Sequence, residues 1–119
     1  MRQLTPLFCI NGLSLPAPDE KPEMKQVIRA IGASALDMQG FYHKGAERSL
    51  EKWILRYARL TAEEYLYLRN LLPDGDFFFT RPGVNGTVST LAYTKGFSGK
   101  LEDGVSGAYR DVVLEIEEC

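Results

Sequence analysis

The chain of 119 residues has one histidine, His43, and two cysteines, Cys9 and Cys119. A Ser-His-Asp or Cys-His arrangement would have to use His43 as its base. Its surroundings, the run GFYHKG, offer no nucleophile elbow, so His43 reads as an exposed or cross-strand histidine. Structural zinc needs closely spaced Cys and His ligands, and Cys9, His43 and Cys119 are scattered over the whole chain. Among carboxylates, Asp74 and Asp76 flank Gly75, and Glu115, Glu117 and Glu118 crowd the C-terminal end. General acid–base pairs need surroundings that push two pKa values apart, and a turn or a chain end is too wet for that. The glycines of GVNG and GFSG lack the lysine and the strand–loop–helix setting of a phosphate cradle, so they read as turn glycines. No residue is assigned a catalytic, cofactor-binding or metal role, and the expectation is a protein that is not an enzyme.

Lys44, Arg48, Lys52, Arg56 and Arg59 interleave with Trp53 and Tyr57. On a strand, these bases except Arg59 fall on the face opposite the aromatics. A platform for single-stranded nucleic acid needs both on one face. The net charge of −2 and pI near 5.4 also lack a basic excess, so no nucleic-acid partner is expected. The aromatics then belong to the core. A second reading, a β-barrel module binding a carbohydrate or small ligand, would place Phe41, Tyr42 and Tyr93 on a concave face.

Around these residues the elements are mostly strands. PLFCINGLSL puts apolar runs on both sides of Asn11-Gly12, a dipeptide that tolerates the positive φ of a tight hairpin. Pro16 to Glu23 holds three prolines and reads as a loop. Met24 to Ile31 suits a strand better than a helix, and Gly32 to Gly45 reads as loop with a short strand at Phe41–His43. In Ala46 to Leu60, Trp53, Leu55 and Tyr57 alternate with Lys52 and Arg56, Ile54 being the exception. Val112, Leu114 and Ile116 alternate with Val113, Glu115 and Glu117 in the same way. The outward bases of the first strand and the outward acids of the second predict that the two pair antiparallel.

LTAEEYLYLRNLLPDG reads as one helix over about residues 62–72. Thr61 and Glu64 form a capping box, Leu60 and Tyr65 a hydrophobic staple, and Tyr65, Leu68, Leu71 and Leu72 a stripe that must lie on a sheet. A helix of that length is too short to stand alone. Phe77 to Thr80 reads as a strand, its consecutive Phe77 to Phe79 implying cover on both faces, Asn85-Gly86 as a turn, and Thr87 to Tyr93 as a further strand. Lys95 to Gly107, with four glycines, reads as loop with a short strand at Gly99–Glu102. The fold class expected is α+β in one domain, residues 1–119: a mainly antiparallel β-sandwich or partly open β-barrel with one flanking helix.

Hydrophobic residues make up 45% of the chain, enough for a core without staples. Two cysteines are too few for a secreted disulfide scaffold, so two free thiols in a reducing compartment are expected. The apolar runs fall short of the ~20 residues that span a bilayer. The N-terminal run, broken by Pro6 and Asn11-Gly12, lacks the continuous apolar region of a signal peptide. No membrane partner is expected, and the chain is placed in, or assembled in, the cytoplasm.

Taken together, Ile10 to Pro16 with its "-ING-", the strand centred on Trp53, Leu60 to Glu64 opening the helix, FFFTRPG, the Tyr93 strand and YRDVVLEIEEC follow one pattern. It resembles a family of short tail proteins encoded by phages and prophages of Gram-positive bacteria, a family of unknown function, and the resemblance covers nearly the whole chain. It departs from that pattern at TKGFSGK, where a more acidic turn is usual, and at Ile31 to Leu36, which lacks the usual basic character. The resemblance implies a virion structural protein: a subunit of a tail-tube-like or distal-tail-like assembly, built in the bacterial cytoplasm and located in the tail. Its partners would be other tail proteins or copies of itself, as in a ring.

Overall fold

The computed structural model describes residues 2–31, 35–36, 42–43, 46–102 and 104–119. Nine strands and one helix occur among them: β1 (Leu4–Ile10), β2 (Leu13–Pro16), β3 (Glu23–Ile31), β4 (Ala35–Leu36), β5 (Tyr42–His43), β6 (Ala46–Leu60), α1 (Ala62–Leu71), β7 (Phe77–Gly83), β8 (Gly86–Leu101) and β9 (Tyr109–Glu118). Seven strands form one antiparallel sheet in the order β2-β1-β7-β8-β9-β6-β3, and β4 pairs with β5 separately.

The sheet is strongly curled. Phe8 of β1 meets Trp53 of β6 edge to face, with ring centroids 5.4 Å apart. β1 and β6 are separated in the sheet by β7, β8 and β9. At roughly 4.8 Å per strand a flat sheet would hold them almost 20 Å apart. Curling brings one face inward as the core: Phe8, Ile10, Leu15, Leu55, Tyr57, Phe77, Phe79, Val112, Leu114 and Ile116 are all buried there. The result is a partly open barrel with one helix on its flank, the architecture the alternating strands predict.

The gap between β2 and β6 is crossed by the proline-rich connection. Asp19 N–H donates to the Arg56 carbonyl (3.1 Å), Ala58 N–H to Asp19 Oδ2 (2.6 Å), and the buried Tyr57 hydroxyl to the Pro16 carbonyl (2.8 Å). The helix forms as its sequence dictates. Thr61 Oγ1 accepts from Glu64 N–H (3.2 Å) and Glu64 Oε1 from Thr61 N–H (2.9 Å). Leu68 is fully buried, and Tyr65, Leu71 and Leu72 pack on the core at their edges. Tyr65 stacks on Tyr109 at 3.6 Å between centroids and on Phe97 at 5.4 Å.

Asn11 and Gly12 turn the first hairpin with φ of 50° and 83°. β6 and β9 pair as their alternation requires, with Lys52 Nζ 3.2 Å from Glu115 Oε2. Glu117 is not on a solvated face, however: it is buried and accepts from the Tyr93 hydroxyl at 2.6 Å. Ile54, the exception in the alternation, is buried on the face of β6 opposite Leu55.

Two further expectations are corrected. Phe77 and Phe79 are buried but Phe78 is 61% exposed, so that strand has one covered face, not two. Lys95 to Leu101 is no loop; it continues β8 against β9, with irregularities between Thr94 and Gly96 and between Ser98 and Lys100. Extra residues at bulges shift the period of two, which hides the strand from a pattern search. At the second bulge Gly99 sits where a Cβ would come 2.9 Å from Val112 Cγ2, so glycine is what lets β8 pass the core there.

Candidate functional site

β6 is longer than the sheet behind it. β9 pairs with β6 only from Lys52 to Leu60, whereas β3 pairs with it from Ile54 down to Ala46. Beyond Glu51, residues 27–31 and 46–50 continue past the end of β9 as a two-stranded ribbon, which β4 and β5 follow in the chain. The molecule measures 65 × 34 × 23 Å with a radius of gyration of 17.7 Å, against about 13.5 Å for a compact chain of this length.

The two outer strands of the sheet end differently. On β2 the carbonyls of Ser14 and Pro16 accept from the hydroxyls of Tyr67 and Tyr57, both at 2.8 Å, and α1 packs alongside. β3 is hydrogen-bonded to β6 over nine residue pairs, and its other side has no strand partner among the described residues. Met24 is 44% and Ile28 70% exposed on this strand, and Gln26 between them is exposed too. By register these three stand opposite Trp53, Ser49 and Glu51, so they continue the inner face of the barrel out along the ribbon. Native sheets blunt a long edge with charge, proline or a covering element, because its unpaired N–H and C=O groups template another strand.

Next to β3 the barrel mouth opens into an apolar cleft of about 460 Å³ lined by Leu7, Phe8, Lys21, Pro22, Met24, Trp53 and Pro82. A neighbouring cleft of about 600 Å³ shares Met24, Trp53 and Pro82 and extends along the β7–β8 hairpin to Arg81 and Val88. Its floor is ionic. Arg81 Nη1 lies 2.8 Å from Glu51 Oε2, which also accepts from Trp53 Nε1 (3.1 Å). Glu118 Oε1 accepts from Glu51 N–H (2.7 Å), and its other oxygen lies 3.9 Å from Arg81 Nη2. Arg81 and Glu118 are nearly buried, so this network fastens β7 to β6 and β9 across the curl. Together with Phe8 it holds the Trp53 ring at the mouth.

A second, part-buried cluster lies at the far end of β6. Arg2 Nη1 donates to the Ala17 carbonyl (2.9 Å) and to Asp19 Oδ1 (2.8 Å), and Nη2 to the Arg59 carbonyl (2.6 Å). Its guanidinium lies over the Tyr57 ring at 5.4 Å. Its backbone N–H donates to Glu64 Oε2 at 2.5 Å. Burial pushes the Glu64 carboxyl upward, but hydrogen bonds from Thr61 and Arg2 outweigh it and hold the group below its ordinary pKa. Burial pushes the Tyr57 hydroxyl well above its ordinary range. This cluster is structural: its hydrogen bonds tie separate chain segments together, while the buried Arg2 Nε makes none and lies 3.4 Å from Glu64 Oε2.

The residues that suggested chemistry do not converge. His43 lies on β5 opposite Ala35, while Asp74 and Asp76 are exposed after α1 and Glu117 and Glu118 are buried in β9. Cys9 and Cys119 form no disulfide. The bases divide among separate ion pairs, Lys52 with Glu115, Arg56 with Glu23 and Arg59 with Glu102. Trp53, Leu55 and Tyr57 face the core, opposite Lys52 and Arg56. Phe41, Lys44 and the side chains of Tyr42, His43 and Arg48 lie outside the described residues. Tyr93 is half-buried with its hydroxyl on Glu117. Among the described residues no group of three His, Cys, Asp or Glu is placed to hold a metal, and no helix is long and apolar enough to cross a membrane. Sequence reading missed the open β3 edge and the Trp53 cleft. The exposed pair Met24 and Ile28, four apart on one strand face, was the available signal.

No family model matches the chain, and no curated protein is significantly similar to it.

Proposed function

We propose that this chain is a structural subunit of a phage or prophage tail, working through protein–protein contacts and not through catalysis. The observation that carries the reading is the nine-residue strand β3, without a strand partner on one side among the described residues, bearing exposed Met24 and Ile28 and running out along a ribbon. A free strand edge adds a partner's strand through main-chain hydrogen bonds, and alternate side chains give selectivity. The resemblance to short tail proteins supports the same reading. The helix then has a simple role: α1 and its Tyr67 cover β2, leaving β3 for neighbours.

The test is particle composition. Tails purified from an induced lysate of a strain carrying the gene are analysed by mass spectrometry and labelled with antibody against the chain. Discrete labelling of the tail, with a reproducible copy number, supports the reading. A chain abundant in the lysate but absent from purified tails overturns it.

A further inference from the structure

We infer that the β3 edge pairs with the β3 edge of a second copy, antiparallel, about a two-fold axis through Gln26. This deepens the assembly reading above and rests on it in one respect, that the edge takes a protein strand.

A two-fold axis perpendicular to a sheet leaves each face on its own side. Residues directly opposite must therefore point the same way, which in a strand of period two requires the axis to pass through a residue. Few positions are open to it. An axis at Lys25 sets Lys25 against itself, and an axis at Val27 sets Lys25 against Arg29. Like charges directly opposite destabilise a pair. An axis at Ile28 pairs Lys25 to Ile31, sets Ile28 against itself and leaves the exposed Met24 outside the pairing. An axis at Gln26 sets Met24 opposite Ile28, Gln26 opposite Gln26, and Glu23 opposite Arg29, all within Glu23–Ile31. Among the described side chains, the two exposed apolar ones of the strand, Met24 and Ile28, then cover each other. The strand is self-complementary in this register and in neither of its neighbours.

The same register accounts for the apolar cleft. Residues of the second copy beyond Arg29 run past Glu23 towards Pro22 and Lys21, which line it beside Met24 and Trp53. The second copy's ribbon lies across the barrel mouth, and the two seven-stranded sheets become one. The segment Ala46–Leu50 of β6 offers a shorter edge, bounded by Glu51, whose N–H is already held by Glu118.

Cysteine linking reads the register directly. Directly opposite residues in an antiparallel pair have Cβ atoms about 4.5–5.5 Å apart, within reach of a disulfide or a short thiol linker. Gln26→Cys is expected to give a linked homodimer on mild oxidation or with the linker. Met24→Cys and Ile28→Cys are each expected to give none alone and to link when mixed, with the joining peptides identified by mass spectrometry. The unsubstituted chain, carrying Cys9 and Cys119, is the control. Ile28→Lys is expected to abolish the dimer in light scattering while melting at the temperature of the dilute, monomeric parent, since Ile28 is exposed in the single chain. A monomer at every concentration, no link through Gln26→Cys, or links through Cys9 or Cys119 alone would overturn the proposal. A chain that pairs in this way but is missing from tails would refute the tail reading and leave this one standing; the converse result separates them equally.

Discussion

The backbone N–H of Arg2 donates to the carboxylate of Glu64, 62 residues away, while the other oxygen of that carboxylate caps the helix at Thr61. One side chain therefore closes the capping box and holds the start of the chain to the helix. Replacing Glu64 by Ala leaves two N–H groups without their acceptor. Both donors are part-buried, and loss of a helix cap costs about 0.5–2 kcal/mol. Glu64→Ala should lower the urea midpoint accordingly with an unchanged m-value, whereas Glu64→Gln, which keeps an acceptor, should lose less.

Acid should loosen the same cluster. The Glu64 and Asp19 carboxyls both lie below their ordinary values in the folded chain: burial opposes this, but hydrogen bonds from Thr61 and Arg2, and from Arg2 and Ala58, prevail. The unfolded chain then binds more protons than the folded one as pH falls, so this contribution is fully present above the ordinary carboxylate range and lost below it. Stability should decline from about pH 5 to about pH 3, and the decline should be shallower in Glu64→Gln. Denaturant melts across that range decide the point; equal slopes in the two proteins would count against the assignment.

Leu68 is the fully buried anchor of the helix. Leu68→Ala should cost about 2–5 kcal/mol from lost transfer energy and the cavity left behind. Leu66, half exposed on the same helix, should tolerate Ala with a change within about 0.5 kcal/mol. Thermal unfolding of the two variants checks which face of the helix docks.

Gly99→Ala would press a methyl group onto Val112. Overpacking of this kind costs about 1–3 kcal/mol. Val112→Ala makes room, so the double variant should be more stable than the sum of the single effects implies. A double-mutant cycle measures that coupling, and strict additivity would show that β8 shifts away instead.

Much of this was legible in the residues. The capping box, the Asn11-Gly12 turn and the paired alternation of β6 and β9 each rest on local chemistry, and each appears as written in the sequence. What was hidden depends on distant parts of the chain. The C-terminal half of β8 was obscured because Gly96 and Gly99 imitate a loop while they serve bulges. The Arg2 cluster joins residues near 2, 19, 59 and 64, and no spacing rule connects those. The open edge is a property of strand order: Met24 and Ile28 look like core residues until β3 is found at the end of the sheet. The role of Trp53 was half visible. Its inward face follows from alternation, but its place at the mouth of a cleft follows from the curl.

If this chain meets its neighbours along the open side of β3, as proposed, its amides there must become protected on assembly. Amide hydrogen exchange on the whole chain, read peptide by peptide at low and at high protein concentration, tests it most directly. Peptides covering Glu23 to Ile31 should gain protection as concentration rises, while those covering β2 and α1 should not change. Exchange in β3 that stays fast and independent of concentration, or protection that appears on another face, would contradict it.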